Sequence, residues 1–185
     1  MSPKPWKLIS SQVNASYSIF TLRTDQARSP RTNRVHDFYI LESTDWVNVI
    51  PITPQNEVVL IRQYRHGIRD VTLEIPGGII EPNDTPEEGA RRELREETGY
   101  RESEMVPLDL VHPNPAFLNN QCYTYLARDV FPAEDQKQDA KEDIEVLLRP
   151  LDDIPRLIRE GEITHSLVLA AFYRFYMEYL PARSR

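Results

Sequence analysis

Glu93, Glu96 and Glu97 stand three and four positions apart, the spacing that brings side chains onto one face of an α-helix. Three carboxylates on one face repel each other unless a cation sits among them. Oxygen donors at that density suit hard divalent ions, Mg²⁺ above all. Arg92 lies beside them and can hold a carboxylate through two parallel hydrogen bonds. The plainer alternative is a solvated helix face of alternating charge held by ordinary ion pairs. What precedes the acids decides between the two.

The acids sit on a helix whose ends are both written into the sequence. Thr85 is an N-cap, Pro86 occupies the first helical position, and Glu88 completes a capping box. Gly99 follows as the left-handed stop. Ala90, Leu94 and Thr98 form a neighbouring, less polar stripe that can pack inward. Ahead of the helix, Val71–Ile75 reads as a short strand that Pro76-Gly77-Gly78 stops. Trp46–Ile52 and Glu57–Tyr64 read as a strand pair joined by a turn at 53–56. Tyr17–Arg23 and His36–Leu41 read as strands around a polar loop, Ala27–Arg34. Further strands are expected at Glu104–His112, Gln121–Arg128 and Ile144–Leu148, and helices at Asp153–Glu160 and Ser166–Leu180. Phe131–Glu142, polar and charged, reads as a mobile loop. Strands interspersed with helices give an α+β class.

Taken together, Gly78, Asp84, Arg92-Glu93-Leu94, Glu96-Glu97, Gly99 and Tyr100 resemble the Nudix box, with the spacing correct throughout. Two positions depart from it. Asp84 stands for the usual Glu, which keeps the charge on a shorter arm, and Tyr100 stands for an aliphatic residue. The resemblance implies a Nudix fold, a mixed β-sheet between helices, with residues 46–185 as the catalytic domain. Residues 1–45 would be a β-rich extension of the same unit. It implies metal ligation by Glu93, Glu97 and Glu96 with the Gly77 carbonyl, and Arg92 holding the glutamates in register. The implied cofactor is Mg²⁺, with Mn²⁺ as the alternative, in two or more ions. The implied chemistry is attack of water on a pyrophosphate, with the metal acidifying the water and neutralising phosphate charge.

Arg62-Gln63-Tyr64-Arg65, the run Leu73-Glu74-Ile75-Pro76-Gly77-Gly78, and Pro115 beyond the box resemble the ADP-ribose and nucleoside-diphosphate-sugar branch of that family. By that resemblance Arg62, Arg65, Glu74 and Pro115 lie near substrate. Read from the residues alone, both arginines could equally be strand-surface charges pairing with Glu74 or with box acids. Trp46 could stack a nucleobase or pack in a core. The branch carries a catalytic acid in a loop before the last strand. Glu142 is the first choice, with Asp139, Asp143 and Glu145 as alternatives. The loop 114–121 departs from the branch pattern by placing Asn120 or Gln121 where an acid is common. This leaves GDP-mannose and other sugar nucleotides open, while another nucleoside diphosphate derivative such as a dinucleotide, or a nucleoside triphosphate, is a further alternative that the Arg62-Gln63-Tyr64-Arg65 stretch and Pro115 speak against. A non-catalytic sugar-nucleotide sensor is the competing class, and the intact box acids argue against it. Members of the branch pair as homodimers through N-terminal strands, which makes a homodimer the expected assembly.

The remaining numbers set bounds. A formal charge of −7 over 185 residues argues against non-specific nucleic-acid binding. No apolar run approaches the length of a bilayer span, so no membrane partner is expected. The start of the chain lacks a signal-peptide core, and the single Cys122 fits a reducing compartment. The cytoplasm is the expected location. Cys122 lies in a strand and reads as a buried structural thiol. His165, near a helix start, reads as a capping or surface residue.

Overall fold

The N-terminal stretch folds as an antiparallel meander of β1 (Lys7–Ser16), β2 (Thr21–Arg28) and β3 (Val35–Glu42), in that order. The computed structural model describes residues 2–138 and 141–179. The expected strand Tyr17–Arg23 is displaced, because Tyr17–Phe20 is a turn. The Tyr17 amide bonds the Phe20 carbonyl at 2.8 Å and the two rings pack on each other. Aromatic residues that suggested a strand thus hold its turn. This meander groups with His112–Gln121 as one compact unit. Within it the Leu41 amide bonds the Phe117 carbonyl, and Asn120 donates to the Thr44 carbonyl.

The second unit comprises Asp45–Val111 and Cys122–Arg185. Its strands are β4 (Trp46–Ile52), β5 (Glu57–Arg65), β6 (Asp70–Glu74), β7 (Gly77–Ile79), β8 (Tyr100–Arg101), β9 (Glu104–Val111), β10 (Cys122–Arg128), β11 (Phe131–Pro132) and β12 (Ile144–Pro150). Its helices are α1 (Pro86–Thr98), α2 (Ile154–Arg159) and α3 (Ser166–Tyr179). The main sheet runs β12-β5-β4-β10-β9, with β6 beside β5 and β7 beside β4. Strands β4 and β10 are parallel and the other pairs antiparallel, so the sheet is mixed.

Neighbouring residues on a strand point to opposite faces, and each face has its own core. Val49 joins Val47, Val59, Ala127 and the α1 residues Ala90 and Leu94. Ile50 joins Leu60, Leu126 and residues of α2 and α3, among them Ile154, Leu157, Val168 and Phe172. The sheet is therefore sandwiched between helices, an α+β architecture as expected. Leu94 is fully buried, and a side chain of that size contributes about 2 kcal/mol on burial. Such contacts hold down a helix whose other face is charged.

Local signals account for α1. Thr85 accepts the Glu88 amide, the Glu88 carboxylate accepts the Thr85 amide, and Gly99 closes the helix at φ 74°. Two features were not expected. Strand β7 pairs with Trp46–Asn48 through glycines that carry little strand preference. The segment after β10, expected to be mobile, is anchored. Phe131–Pro132 pairs with Tyr100–Arg101, and the Ala133 and Glu134 amides bond the Gly99 carbonyl. A Cβ on Gly99 would stand 2.2 Å from the Glu134 carbonyl oxygen, so glycine is required there by packing as well as by its φ.

Candidate active site

Helix α1 presents its acids at the turn that joins β6 to β7. Glu97 is buried, and one of its oxygens accepts the Gly77 amide at 2.8 Å. Glu93 lies against Gly78 so closely that a Cβ there would stand 2.6 Å from the carboxylate. Gly78 thus lets the Glu93 carboxylate approach the backbone, whereas at Gly77 a Cβ would collide with the Val47 carbonyl and Asn48 of β4, which explains these residue types at these positions. Glu96 is more open, with its side chain 44% exposed.

Arg92 ties this group together. Its Nη1 donates to Glu93 at 2.8 Å and to Glu96 at 3.3 Å, its Nε to Asp84 at 3.1 Å, and its Nη2 to the Ile79 carbonyl at 2.8 Å. One guanidinium therefore fixes the loop before the helix to two of the acids. Asp84, the shortened acid of the motif, still reaches it. Burial works against the Arg92 charge, but the bonds to Asp84, Glu93 and Glu96 hold its pKa well above the ordinary value.

The electrostatics are those of a crowded anionic site. Burial pushes Glu93 up to about 7 against the pull of Arg92, and the charges of Glu96 and Glu142 add to the rise. Burial also drives Glu97 well above the usual carboxylate range. The Gly77 amide opposes that rise, and Glu93 and Glu142 reinforce it. Glu142 is half-buried just before β12, and its charge reaches Glu93, Glu97 and Arg65. Among the other loop acids, Glu145 pairs with Arg62 at 3.3 Å and Asp143 is exposed. Asp139 lies outside the described residues. Among the described residues no three acid, imidazole or thiol groups close on a single point. The donors are carboxylates desolvated side by side with backbone near them. That chemistry fits a hard divalent cation, which would offset the repulsion that raises both pKa values.

Both strand arginines pair with acids. Arg62 meets Glu145 on the surface. Arg65 makes a bidentate pair with Glu74, Nε to Oε1 at 2.8 Å and Nη2 to Oε2 at 2.7 Å, and the Glu74 side chain is only 2% exposed. Burial opposes the charge on Glu74, yet Arg65 and the Thr72 hydroxyl bring its pKa below the ordinary value. Arg65 itself keeps a 40% exposed side chain, and its charge reaches Glu97. Thr72, two positions before Glu74 on β6, was not singled out from the sequence. The strand period places both on one face, which is the signal that could have found it. His165 sits with Nδ1 3.8 Å from Glu74, and that atom is buried without a hydrogen-bond partner among the described residues. Its carbonyl accepts the Leu169 amide at the start of α3, and its side chain stays 35% exposed.

Trp46 opens β4, half-buried, opposite Ile79 on β7 and Cys122 on β10. Pro115 is exposed in the turn 114–118, in the first unit. Cys122 is fully buried, and burial raises its thiol to about 12, so it is an inert core residue.

This box of loop, capped helix and acids has counterparts of known family. The NUDIX domain profile matches residues 43–172, most of the chain, and the protein belongs to that family. An ADP-ribose pyrophosphatase of Bacillus subtilis is 29% identical over 118 residues, 63% of this chain and 64% of that protein. An ADP-ribose pyrophosphatase of Mycobacterium tuberculosis is 29% identical over 174 residues, 92% of this chain and 83% of that protein. A crystal structure of an ADP compounds hydrolase superposes with a TM-score of 0.84 at 20% identity, covering 96% of both chains. That likeness confirms the Nudix fold.

Proposed function

We propose that this protein is a pyrophosphohydrolase of nucleoside diphosphate sugars, with ADP-ribose as leading substrate and AMP and ribose 5-phosphate as products. One observation carries the reading. Two desolvated carboxylates, Glu93 and Glu97, stand beside the Gly77-Gly78 turn with the charge of Glu142 reaching both. The two relatives named ADP-ribose pyrophosphatase support the substrate class.

Glu93, Glu97 and Glu96, with the Gly77 carbonyl, are the groups to hold Mg²⁺ or Mn²⁺, in two or more ions. Such ions, when bound, acidify water and neutralise charge on the phosphate oxygens. Arg92 keeps Glu93 and Glu96 in place, so that ordering cost is met before substrate arrives. Water adds to one phosphorus in line, the bridging P–O bond breaks, and its electron pair leaves on the departing phosphate. In this reading Glu142 takes the proton from that water. Arg65, held by Glu74, offers its open edge to a phosphate or ribose oxygen, and Arg62 offers charge beside it. Trp46 is the proposed contact for the nucleoside.

The working assembly in this proposal is a homodimer joined through the N-terminal meander. Its location is the cytoplasm, where a single buried thiol is at home. No helix among the described residues is long and apolar enough to cross a membrane. A phosphatase-coupled phosphate-release screen tests the function, using ADP-ribose, other sugar nucleotides, dinucleotides and triphosphates with Mg²⁺ or with EDTA. The expected result is metal-dependent turnover with ADP-ribose first. Absence of turnover on every sugar nucleotide would overturn the reading.

A further inference from the structure

A second charged cleft, of about 530 Å³, lies along α1. Four guanidinium groups line it: Arg91, Arg92 and Arg95 from the helix and Arg101 from β8. Arginine stays charged in any protein environment, so four in one cleft repel each other unless each has a counter-charge.

Three of them have one. Arg92 bonds Asp84, Arg91 pairs with Glu102 and Glu87, and Arg101 places Nε and Nη2 on Glu134. Arg95 does not. Its side chain donates through Nε to the Arg91 carbonyl, and among the described residues no carboxylate lies within ion-pair distance of it. The three acids that share the cleft are already committed. Asp84 is held by Arg92 and Glu102 by Arg91, while Glu88 is bonded to the Thr85 amide and hydroxyl. The negative end of the helix dipole favours a cation near Arg95. That accounts for one basic residue in the last turn but not for Arg101 converging on it from a separate strand. The planar fork of arginine matches oxyanions, which it binds through two parallel hydrogen bonds.

We propose that this cleft is a binding site for a phosphate-type oxyanion, either inorganic phosphate or the phosphomonoester of a nucleotide. It is built chiefly by Arg95, with Arg101 adding the part of its guanidinium that Glu134 leaves open. It shares Arg92 and Asp84 with the box but is not lined by Glu93 or Glu97, and the proposal does not depend on the hydrolytic reading.

The test is an amide-resolved NMR titration of the full-length protein at low ionic strength in EDTA, which prevents oxyanions from binding through a metal at Glu93 and Glu97. Inorganic phosphate is added in one arm and 5′-AMP in the other. The expected result is saturable shifts at the Arg95, Arg101 and Glu102 amides. Arg95→Gln and Arg101→Gln should each weaken the affinity by about tenfold, the effect of losing one charge-assisted contact. Arg174→Gln, on α3, should leave it unchanged. Equal affinity in the two arms identifies phosphate as sufficient, whereas tighter 5′-AMP binding identifies a nucleotide phosphomonoester. Saturable binding in neither arm, or binding unchanged in the Arg95→Gln/Arg101→Gln double variant, would overturn the site. The amide spectrum of each variant reports whether it is folded, and phosphate-release kinetics report the hydrolytic activity independently.

Discussion

Glu97 concentrates the argument at the scale of single residues. It is buried, accepts one backbone hydrogen bond, and carries a raised pKa because burial and neighbouring carboxylates disfavour its charge. Glu97→Gln keeps the shape and removes the charge. If a divalent cation is held there, kcat should fall about a hundredfold or more, because metal stabilisation is worth several kcal/mol, while circular dichroism stays unchanged. A rate near that of the parent would refute the metal assignment. The same crowding predicts a pH dependence for the metal-free protein. Burial lifts Glu93 from 4.5 to about 7. Between those values the unfolded chain has released this proton while the folded chain still holds it. Stability is then lost as pH rises through that window and levels off above it. Thermal melts in EDTA should show a Tm that declines from pH 5 to pH 7.5 by more in the parent than in Glu93→Gln. Adding Mg²⁺ at pH 7.5 should restore the parent and not the variant. Identical slopes would show that Glu93 is not desolvated as described.

At the scale of elements, α1 was legible because its signals are local. Thr85, Pro86, Glu88 and Gly99 act within one or two turns, and the helix forms with the expected ends. Strand β7 was not legible, because Gly77 and Gly78 become strand only by pairing with Trp46–Asn48, far away in sequence. Likewise Glu93, Glu96 and Glu97 could be placed on one helix face from spacing alone. The proximity of Glu142 to them depends on how the chain returns after β10, which no spacing reveals. That return path rests on Gly99. Its carbonyl takes the Ala133 and Glu134 amides, the Gln136 side chain bonds the Glu97 carbonyl, and the Lys137 amide bonds that of Glu96. Gly99→Ala should therefore cost more than the roughly 1 kcal/mol of a left-handed alanine, because the methyl group also collides with the Glu134 carbonyl. Urea denaturation should show a loss of about 2 kcal/mol or more, and kcat should fall as the segment leading to Glu142 shifts. A loss of only the alanine increment would mean that the segment is not braced by the helix end.

At the scale of the whole molecule, the distribution of apolar surface bears on assembly. The second unit packs two cores, one on each face of the sheet. The N-terminal meander contributes no residue to either. Trp6, Leu8, Ile9, Val13, Tyr17 and Ile19 are all more than 40% exposed, although β1 and β2, which carry or flank them, pair along their length with register shifts only at Leu8/Ser10 and Val13/Ala15. A three-stranded sheet gains little by ordering itself while leaving such side chains in water. In the proposed homodimer a second copy of the chain would cover this surface. Light scattering after size exclusion should then give twice the 21.6 kDa chain mass. Leu8→Glu combined with Val13→Glu should shift that mass toward the monomer, since two charges in a buried interface cost far more than in water, while the sheet hydrogen bonds remain. A dimer that survives both substitutions would place the interface elsewhere. A protein monomeric at micromolar concentration before any substitution would remove the dimer altogether and leave the apolar face of the meander without its proposed partner.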